Sequence, residues 1–301
     1  MNSHLFVLAL MDGVSYAALL FLVALGLTLI FGVMNILNIA HGSLYAWGGY
    51  TAASMGLAIA SFHLPPWLAL PSLFLAALLV GAVLGPLLEV GLLRRILDKD
   101  PILQLLVTFA AFMILEDVQR LIWGSQPYFV SEVVSQLGTL TVGGVTYTRY
   151  QLLVLPAVAL LAFFSLRWFL GRTALGRQVT AVTHNREVAT AMGVDASRVS
   201  LLPMVVGAAL GALGAALASP TTSFTPGIGA EMLVLSFAVV ATAGLGQIGG
   251  AAIAALMIGL ARSFAIYLQP EIEVLVPYLI MVAVLLVRPQ GLFSTVATRR
   301  I

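Results

Sequence analysis

Amide and imidazole side chains interrupt one of the most apolar stretches of the chain, VMNILNIAHGSLYAWGGY, residues 33–50. Such groups cost several kcal/mol each in hydrocarbon unless they are hydrogen-bonded, so they must face protein or water. The pattern predicts either a broken helix at a translocation path or its gate, or a polar joint between two helices. A metal site is not expected, because no second histidine or carboxylate has matching spacing. The candidate residues are Asn35, Asn38, His41, Gly42 and Ser43.

A related pattern occurs in LSFAVVATAGLGQIGGAAIAALMIG, residues 235–259, where Gln247 lies within a glycine-rich interruption. The segment could be the repeat counterpart of residues 25–50, as transporter halves often show. The alternative is ordinary packing of small residues between helices. We therefore predict a second broken or re-entrant element here and add Gln247 to the candidate path residues.

The stretch 171–198 is too polar to cross a membrane. Its centre, 178–192, is predicted to form one or two short helices that stop at Gly193. A short helix that presents Glu187, Thr190 and flanking arginines could fit a groove in a soluble partner. The alternative is a solvated loop that only sets topology.

Several charged side chains fall inside apolar segments. Glu116 and Arg120 are spaced four residues apart and are predicted to pair on one helix. Glu89 and Arg262 lie deeper, and a charge at the bilayer centre costs roughly 2.5–3.5 kcal/mol or more, so both are expected to face the bundle interior. Glu231 suits the N-terminus of a helix. With the segment that precedes it, this carboxylate could form an outer vestibule or a receptor-contact patch.

The elements that hold these residues follow from composition. The chain has 301 residues, of which 61% are hydrophobic and 9% charged, with a mean hydropathy of +1.07. Soluble domains carry about 25% charged residues, so the fold class is all-α polytopic membrane protein with about 8–9 transmembrane helices. The absence of cysteine excludes disulfides and thiolate metal sites. The net charge of +2 is small and scattered, so nucleic acid is not an expected partner.

A membrane-spanning helix needs about 20 residues. We expect one domain, 1–301, with a loop at 124–149 that could form a short hairpin or an interfacial segment, and the polar loop 171–198. The expected spans are 10–33, 42–61, 68–92, 101–123, 150–170, 199–219, 231–246, 249–268 and 273–288.

Nine alternating spans place eleven of the fourteen Lys and Arg residues on one side, which is then cytoplasmic. The N-terminus is outside and the C-terminus inside in this topology, and Arg120, Arg149 and Arg262 are the exceptions. The eleven are Arg94, Arg95, Lys99, Arg167, Arg172, Arg177, Arg186, Arg198, Arg288, Arg299 and Arg300.

Three segments in the same order resemble the LivH-type permeases, the integral subunits of branched-chain amino-acid ABC importers. The first is DGVSYAALLFLVALGLTLIFGVMNILNIAHGSLYAWGGYTA, residues 12–52. The second is the polar loop 171–198 followed by VVATAGLGQIGGAAIAALMIGL, residues 239–260, and the third is VRPQGLF, residues 287–293. The likeness covers nearly the whole chain, and Ile-Ala-His-Gly-Ser fits the LivH type better than its paired permease, LivM.

The resemblance implies a bacterial inner-membrane permease that forms a path for hydrophobic amino acids with a LivM-like permease. It implies two cytoplasmic ATPase subunits, which bind ATP and magnesium, and an extracytoplasmic binding protein. This chain then needs no cofactor and is not an enzyme, and it contains no G-x-x-x-x-G-K-[ST] motif. The loop would dock on an ATPase as a coupling helix, because Glu187-Val188-Ala189 leads to Gly193 with the family's spacing, although Val188 departs from it. The coupling candidates are Arg186, Glu187, Ala189, Thr190, Met192 and Gly193.

Two other functions stay open. Urea and short-amide importers share this architecture, and the binding protein largely sets their specificity. A stand-alone ion-coupled carrier would need a titratable relay at mid-membrane, and Glu89, Arg262 and His41 are too scattered in the sequence to provide one. An intramembrane enzyme is the least expected class, because no H-E-x-x-H or paired-aspartate motif occurs.

Overall fold

The computed structural model describes residues 3–142 and 144–293. Arg299 and Arg300, which the topology assigned to the cytoplasmic side, lie outside the described residues. The long helices are α1 (Ser3–Met34), α2 (His41–Ser61), α3 (Ala69–Leu88), α5 (Pro101–Trp123), α7 (Leu155–Arg172), α10 (Ala196–Ala218), α11 (Ile228–Ala243), α12 (Ile248–Leu268) and α13 (Val276–Val287). The shorter elements are α4 (Arg94–Ile96), α6 (Glu132–Leu137), α8 (Ala174–His184), α9 (Arg186–Ala191), β1 (Thr139–Val142) and β2 (Val145–Thr148). π-helical turns at Glu89–Leu93 and Tyr150–Val154 extend α3 and α7.

Each of the nine predicted spans coincides with a long helix, which confirms the polytopic all-α class. Among the described residues, six helical stretches are long and apolar enough to cross a membrane, while α11 and α13 are shorter apolar helices. The remaining helix, α2, has 21 residues but carries many glycines and polar groups. The six stretches are His4–Met34, Pro66–Ile96, Pro101–Trp123, Tyr150–Arg172, Arg198–Ala218 and Ile248–Leu268.

The two ends of the bundle differ in the elements that lie there: the β-hairpin at one end and the helices of the polar loop at the other. At the hairpin end, β1 and β2 pair as an antiparallel hairpin, as the sequence of 124–149 suggested. The start of α1 and the end of α12 meet there, because Asp12 accepts hydrogen bonds from Tyr147 of β2 and from Tyr267. At the opposite, loop end, Val33 near the end of α1 packs against a cluster formed by α8, α9 and α10.

Helix α2 begins inside the bundle rather than at its surface. After Met34 the chain turns back, with Asn35 in the left-handed region at a φ of 53°. His41 Nε2 lies 3.0 Å from Val23 O. Val23 precedes the end of α1 by eleven residues, which is about 16 Å of helix. This re-entry confirms the predicted broken segment within 33–50.

Helix α11 also begins inside the bundle, but the chain enters from the other end. α10 ends near the hairpin end, where Leu217 O accepts a hydrogen bond from the start of the α7 span. The chain then turns back, and Phe224 in this turn is fully buried. α11 starts beside α2, because a Cβ placed on Gly42 would lie 2.4 Å from Gly229 O.

These directions relate the two halves of the chain as an inverted repeat. α1 packs on α10 and α12, and in the same way α10 packs on α1 and α3. α1 and α3 run toward the loop end, whereas α10 and α12 run away from it. The equivalent of the break after α1 is therefore residues 219–227. The segment 235–259, considered as a possible counterpart, is therefore not the repeat partner, although it does contain the predicted helix break, at 244–247.

Small residues allow the closest helix approaches in this bundle. Gly26 of α1 faces Gly207 of α10, and a Cβ at Gly26 would lie 2.4 Å from Gly207 O. Gly48 of α2 contacts Ala212 of α10 just as closely. Van der Waals packing at such points replaces the hydrophobic effect that is missing in lipid.

Gly26→Ala is expected to lower the free energy of unfolding by about 1–3 kcal/mol, because the added methyl group overpacks the crossing of α1 and α10. Gly32→Ala in the same helix is the matched control. A Cβ there makes only an ordinary contact, 3.7 Å from Gly246 Cα, so helix propensity should stabilise the protein by about 0.5 kcal/mol. Thermal unfolding of the purified protein in detergent measures both, and equal midpoints would contradict the packing.

Candidate translocation path and coupling site

The His41 side chain is fully buried at the crossing of α1 and α10. Its Nε2–H donates to Val23 O, and its Cε1 lies against Gly26 and Gly211, where an added Cβ would come within 3.1 and 2.8 Å. The Nδ1 atom has no hydrogen-bond partner among the described residues. The imidazole therefore fills a space that two glycines provide.

Asn38 and Ser43 are buried on either side of His41. Asn38 Oδ1 accepts a hydrogen bond from Ala40 N at 3.1 Å, so the amide stabilises the turn that re-enters the bundle. Its Nδ2 has no partner among the described residues. Ser43 Oγ donates to Phe112 O at 3.2 Å and joins α2 to α5. The structure thus brings these candidate residues together with Gly42, which contacts α11.

Asn35 and Gln247 lie at the loop end, apart from the buried group. Asn35 is exposed, and Gln247 is half-buried at the start of α12. The last turn of α1 lies against the second helix break there, because a Cβ at Gly32 would lie 3.7 Å from Gly246 Cα. Sequence reasoning found both breaks, but this contact depends on the packing of α1 against α11 and α12.

The polar loop folds into two helices, as predicted, and α9 ends at Ala191, two residues before Gly193, whose φ is +86°. Thr173 Oγ1 accepts from Gly176 N and caps α8, and Asn185 Oδ1 accepts from Val188 N and caps α9. Asp195 Oδ1 accepts from Arg198 N at the start of α10. Local capping therefore fixes the shape of the loop.

The coupling candidates divide by burial. Ala189 belongs to an apolar cluster with Val179, Val182, Ala196 and Val199, against which Val33 packs. Thr190 and Glu187 are exposed, and Arg186 is half-buried. Two apolar side chains project outward, Val188 with 57% and Met192 with 80% of their surface exposed. Buried residues thus hold the loop against the end of α1, and the outer surface is free of the described chain.

A buried carboxylate lies where α3 approaches α10. Glu89 is fully buried in the π-helical turn and pairs with Arg94, whose Nη2 lies 2.8 Å from Glu89 Oε2. Ser200 Oγ donates to Glu89 Oε1 at 2.8 Å. The expectation that Glu89 faces the interior is confirmed. Its partners were not foreseen, because Ser200 is 111 residues away in sequence.

A polar cavity of about 220 Å³ opens near the hairpin end, and sequence reasoning did not find it. Asp12, Tyr147 and Arg262 are among its lining residues. Burial, and then the hydrogen bond to Asp12, raises the pKa of Tyr147, so its phenol remains a donor at neutral pH. Arg262 lies in the interior, as expected, with 19% of its side chain exposed.

Comparison with known proteins identifies the family of this chain. A family model described as branched-chain amino acid transport system / permease component matches residues 9–285. The chain belongs to this permease family. It is therefore a multi-pass membrane permease component of a transport system.

The chain is similar along its length to curated permeases. It is 26% identical to the high-affinity branched-chain amino acid transport permease BraD of Pseudomonas aeruginosa, over 95% of this chain and 94% of BraD. It is 26% identical to LivH of Escherichia coli K12, over 96% of each chain. Among solved structures, a chain of PsaBC from Streptococcus pneumoniae in complex with Fab has a TM-score of 0.47 and 14% identity, over 96% of this chain and 94% of that one.

Proposed function

We propose that the chain is the inner-membrane permease subunit of an ABC importer for branched-chain amino acids, with residues 1–301 forming one permease domain. The names of BraD and LivH support this substrate class. A second, LivM-like permease completes the path as a heterodimer. An extracytoplasmic binding protein delivers the cargo, and the bilayer surrounds both permeases.

The loop end faces the cytoplasm in this proposal, and the hairpin end faces outward. The C-terminus is then inside and the N-terminus outside. Basic side chains support this assignment, because Arg94, Arg95 and Lys99 lie close to the loop end together with the arginines of 171–198.

Energy enters from two ATPase subunits, which bind ATP and magnesium, so this chain performs no catalysis and needs no cofactor. The cluster that joins α8, α9 and α10 to Val33 is the observation that carries the proposal. A push on α9 would pass through it to the last turn of α1, directly before the break. The coupling surface comprises Arg186, Glu187, Thr190, Met192 and Gly193, whereas the candidate Ala189 is buried and acts by anchoring α9 to the cluster with α8 and α10.

The re-entrant turn and its neighbours then act as the gate. Movement of the end of α1 changes the position of Asn35 relative to Gln247, because Gly32 in the last turn of α1 lies against Gly246 in the second break. The buried group of Asn38, His41, Gly42 and Ser43 forms the hinge on which α2 begins. Unpaired polar atoms at Asn38 and His41 are consistent with a second arrangement in which they gain partners.

Purification of the intact assembly from its native membrane tests this function. ATPase subunits should co-purify with the wild-type chain and should be lost when 178–192 is deleted. Because that deletion removes buried Val179, Val182 and Ala189, a surface substitution at Met192 provides the second test. Uptake of leucine by the isolated chain in liposomes, driven by a pH or sodium gradient without ATP, would favour the stand-alone carrier instead.

A further inference from the structure

The cavity at the hairpin end combines opposite charges with an apolar wall. It lies between α1, β2, the start of the α7 span and α12, and the turn before α11 closes one side. Asp12, Arg262 and two serines provide the polar part. Leu19, Leu155 and Ile266 provide the apolar part. A volume of about 220 Å³ suits a molecule of amino-acid size rather than a drug-sized ligand.

The acidic side of the cavity is held in place by two phenols. Tyr147 Oη donates to one carboxylate oxygen of Asp12, and Tyr267 Oη donates to the other. A carboxylate has about four acceptor positions, so Asp12 keeps capacity for a further donor. Hydrogen bonds that fix its orientation favour recognition of an ammonium group.

On the basic side of the cavity, fewer hydrogen-bonding positions are occupied than on Asp12. Arg262 Nη2 lies 3.4 Å from Glu273 Oε1, which is long for a charge-assisted hydrogen bond. The guanidinium lies over the Tyr16 ring, 4.3 Å from its centroid, which holds the plane of the group. Its remaining N–H groups match the two oxygens of a carboxylate. The nearby Tyr16 Oη is buried.

Asp12 and Arg262 line one cavity without forming an ion pair with each other. The Arg262 guanidinium lies within 4.0 Å of a carboxylate oxygen of Glu273, but farther than 4.0 Å from the carboxylate of Asp12. If the two charges served only to hold the helices together, direct pairing would satisfy both. A ligand that carries an ammonium and a carboxylate satisfies both charges without bringing the helices closer.

We propose that this cavity binds an α-amino acid with an apolar side chain, its ammonium on Asp12 and its carboxylate on Arg262. The side chain lies against Leu19, Leu155 and Ile266. This site rests on the proposed function and deepens it, because the permease itself then recognises the cargo class. Recognition inside the permease adds a second selection step after the binding protein.

Equilibrium binding of radiolabelled leucine tests the site. The probe is added to the intact permease–ATPase complex in nanodiscs without binding protein. We expect saturable binding that isoleucine and valine displace. Neither 4-methylpentanoate nor 3-methylbutylamine should displace it, because each lacks one of the two charges. Arg262→Gln and Asp12→Asn should each weaken binding at least tenfold.

Two matched controls separate recognition from folding. Arg120→Gln removes an arginine from another ion pair, outside the cavity, and should bind leucine like the wild type. Thr222 is exposed at the cavity rim, so Thr222→Trp should obstruct entry without disturbing Arg262. Thr225→Trp adds the same bulk at an exposed position outside the cavity and should leave binding unchanged.

The outcomes test the proposed binding site separately from the proposed function. If ATPases co-purify and ATP drives transport, but leucine does not bind without binding protein, the site is wrong and the function stands. Leucine binding that survives both Arg262→Gln and Thr222→Trp also overturns the site. If ATPases do not associate with the wild-type chain, the proposed function itself fails.

Discussion

Met192→Glu should strongly weaken the association of the permease with its ATPase subunits while leaving the membrane bundle folded. Met192 has 80% of its surface exposed directly after α9, whereas Ala189 in the same turn region is buried. An exposed apolar side chain on a polar loop is expected to insert into a pocket of the partner. Interface residues of this kind contribute 2 kcal/mol or more when they are central, and a buried unpaired carboxylate adds a further penalty. The loss should exceed about tenfold in affinity.

The measurement is the ratio of ATPase to permease after affinity purification. Phe62→Glu is the matched control, because Phe62 is 75% exposed and follows α2, away from the polar loop. It should retain the wild-type ratio. Both variants should keep the thermal unfolding midpoint of the wild-type protein. If the double variant Met192→Glu/Val188→Glu keeps the wild-type ratio of ATPase to permease, this surface does not bind the ATPase subunits.

Features encoded by neighbouring residues were predictable from the sequence. The apolar runs located all nine long helices of the part of the chain that the structure describes, and the β-branched residues of 139–148 indicated the hairpin. Gly193 identified the end of α9, because only glycine adopts a φ of +86° without strain. The pair Glu116–Arg120 follows from four-residue spacing on one helix, and its atoms lie 2.6 Å apart.

Features that depend on distant parts of the chain were not predictable in the same way. Asp12 and Tyr267 are 255 residues apart, so no local pattern brings them to one cavity. The inverted relation between α1 and α10 was also not predicted, because it is defined by helix direction and packing and not by the composition of the matching segments. The glycine-rich segment 235–259 resembled 25–50 in composition, whereas the true counterpart 219–227 is rich in threonine and proline. Composition therefore identified a break but not its symmetry partner.

The sequence pattern of the candidate path residues allows two physical explanations, a polar joint between helices or a water-filled path. Polar side chains in an apolar run must be satisfied by protein or by water. The structure satisfies Ser43 with the α5 backbone and His41 with the α1 backbone. In this arrangement Asn38, His41 and Ser43 lie between helices, and a role at the gate requires that α2 move relative to α1.

Arg94→Met should lower the free energy of unfolding by about 3 kcal/mol, the lower end of the range for breaking a buried ion pair. The substitution leaves Glu89 fully buried, although Ser200 still donates to it. Glu89→Gln should cost less, because Arg94 has 37% of its side chain exposed and can reach water. The double variant should be more stable than Arg94→Met alone, since it leaves no buried charge. Unfolding of the purified chain in detergent measures all three.

Arg120→Met is the matched control for Arg94→Met. Its ion pair with Glu116 is as close, at 2.6 Å, but Arg120 has 48% of its side chain exposed. Exposed pairs contribute about 0–1 kcal/mol, so the two substitutions should differ by about 2 kcal/mol or more. Equal costs would mean that burial of Glu89 does not determine the energy of its pair. A larger cost at Arg94 would show that the burial of Glu89 determines the energy of its ion pair, at the point where Ser200 of α10 also donates to the carboxylate.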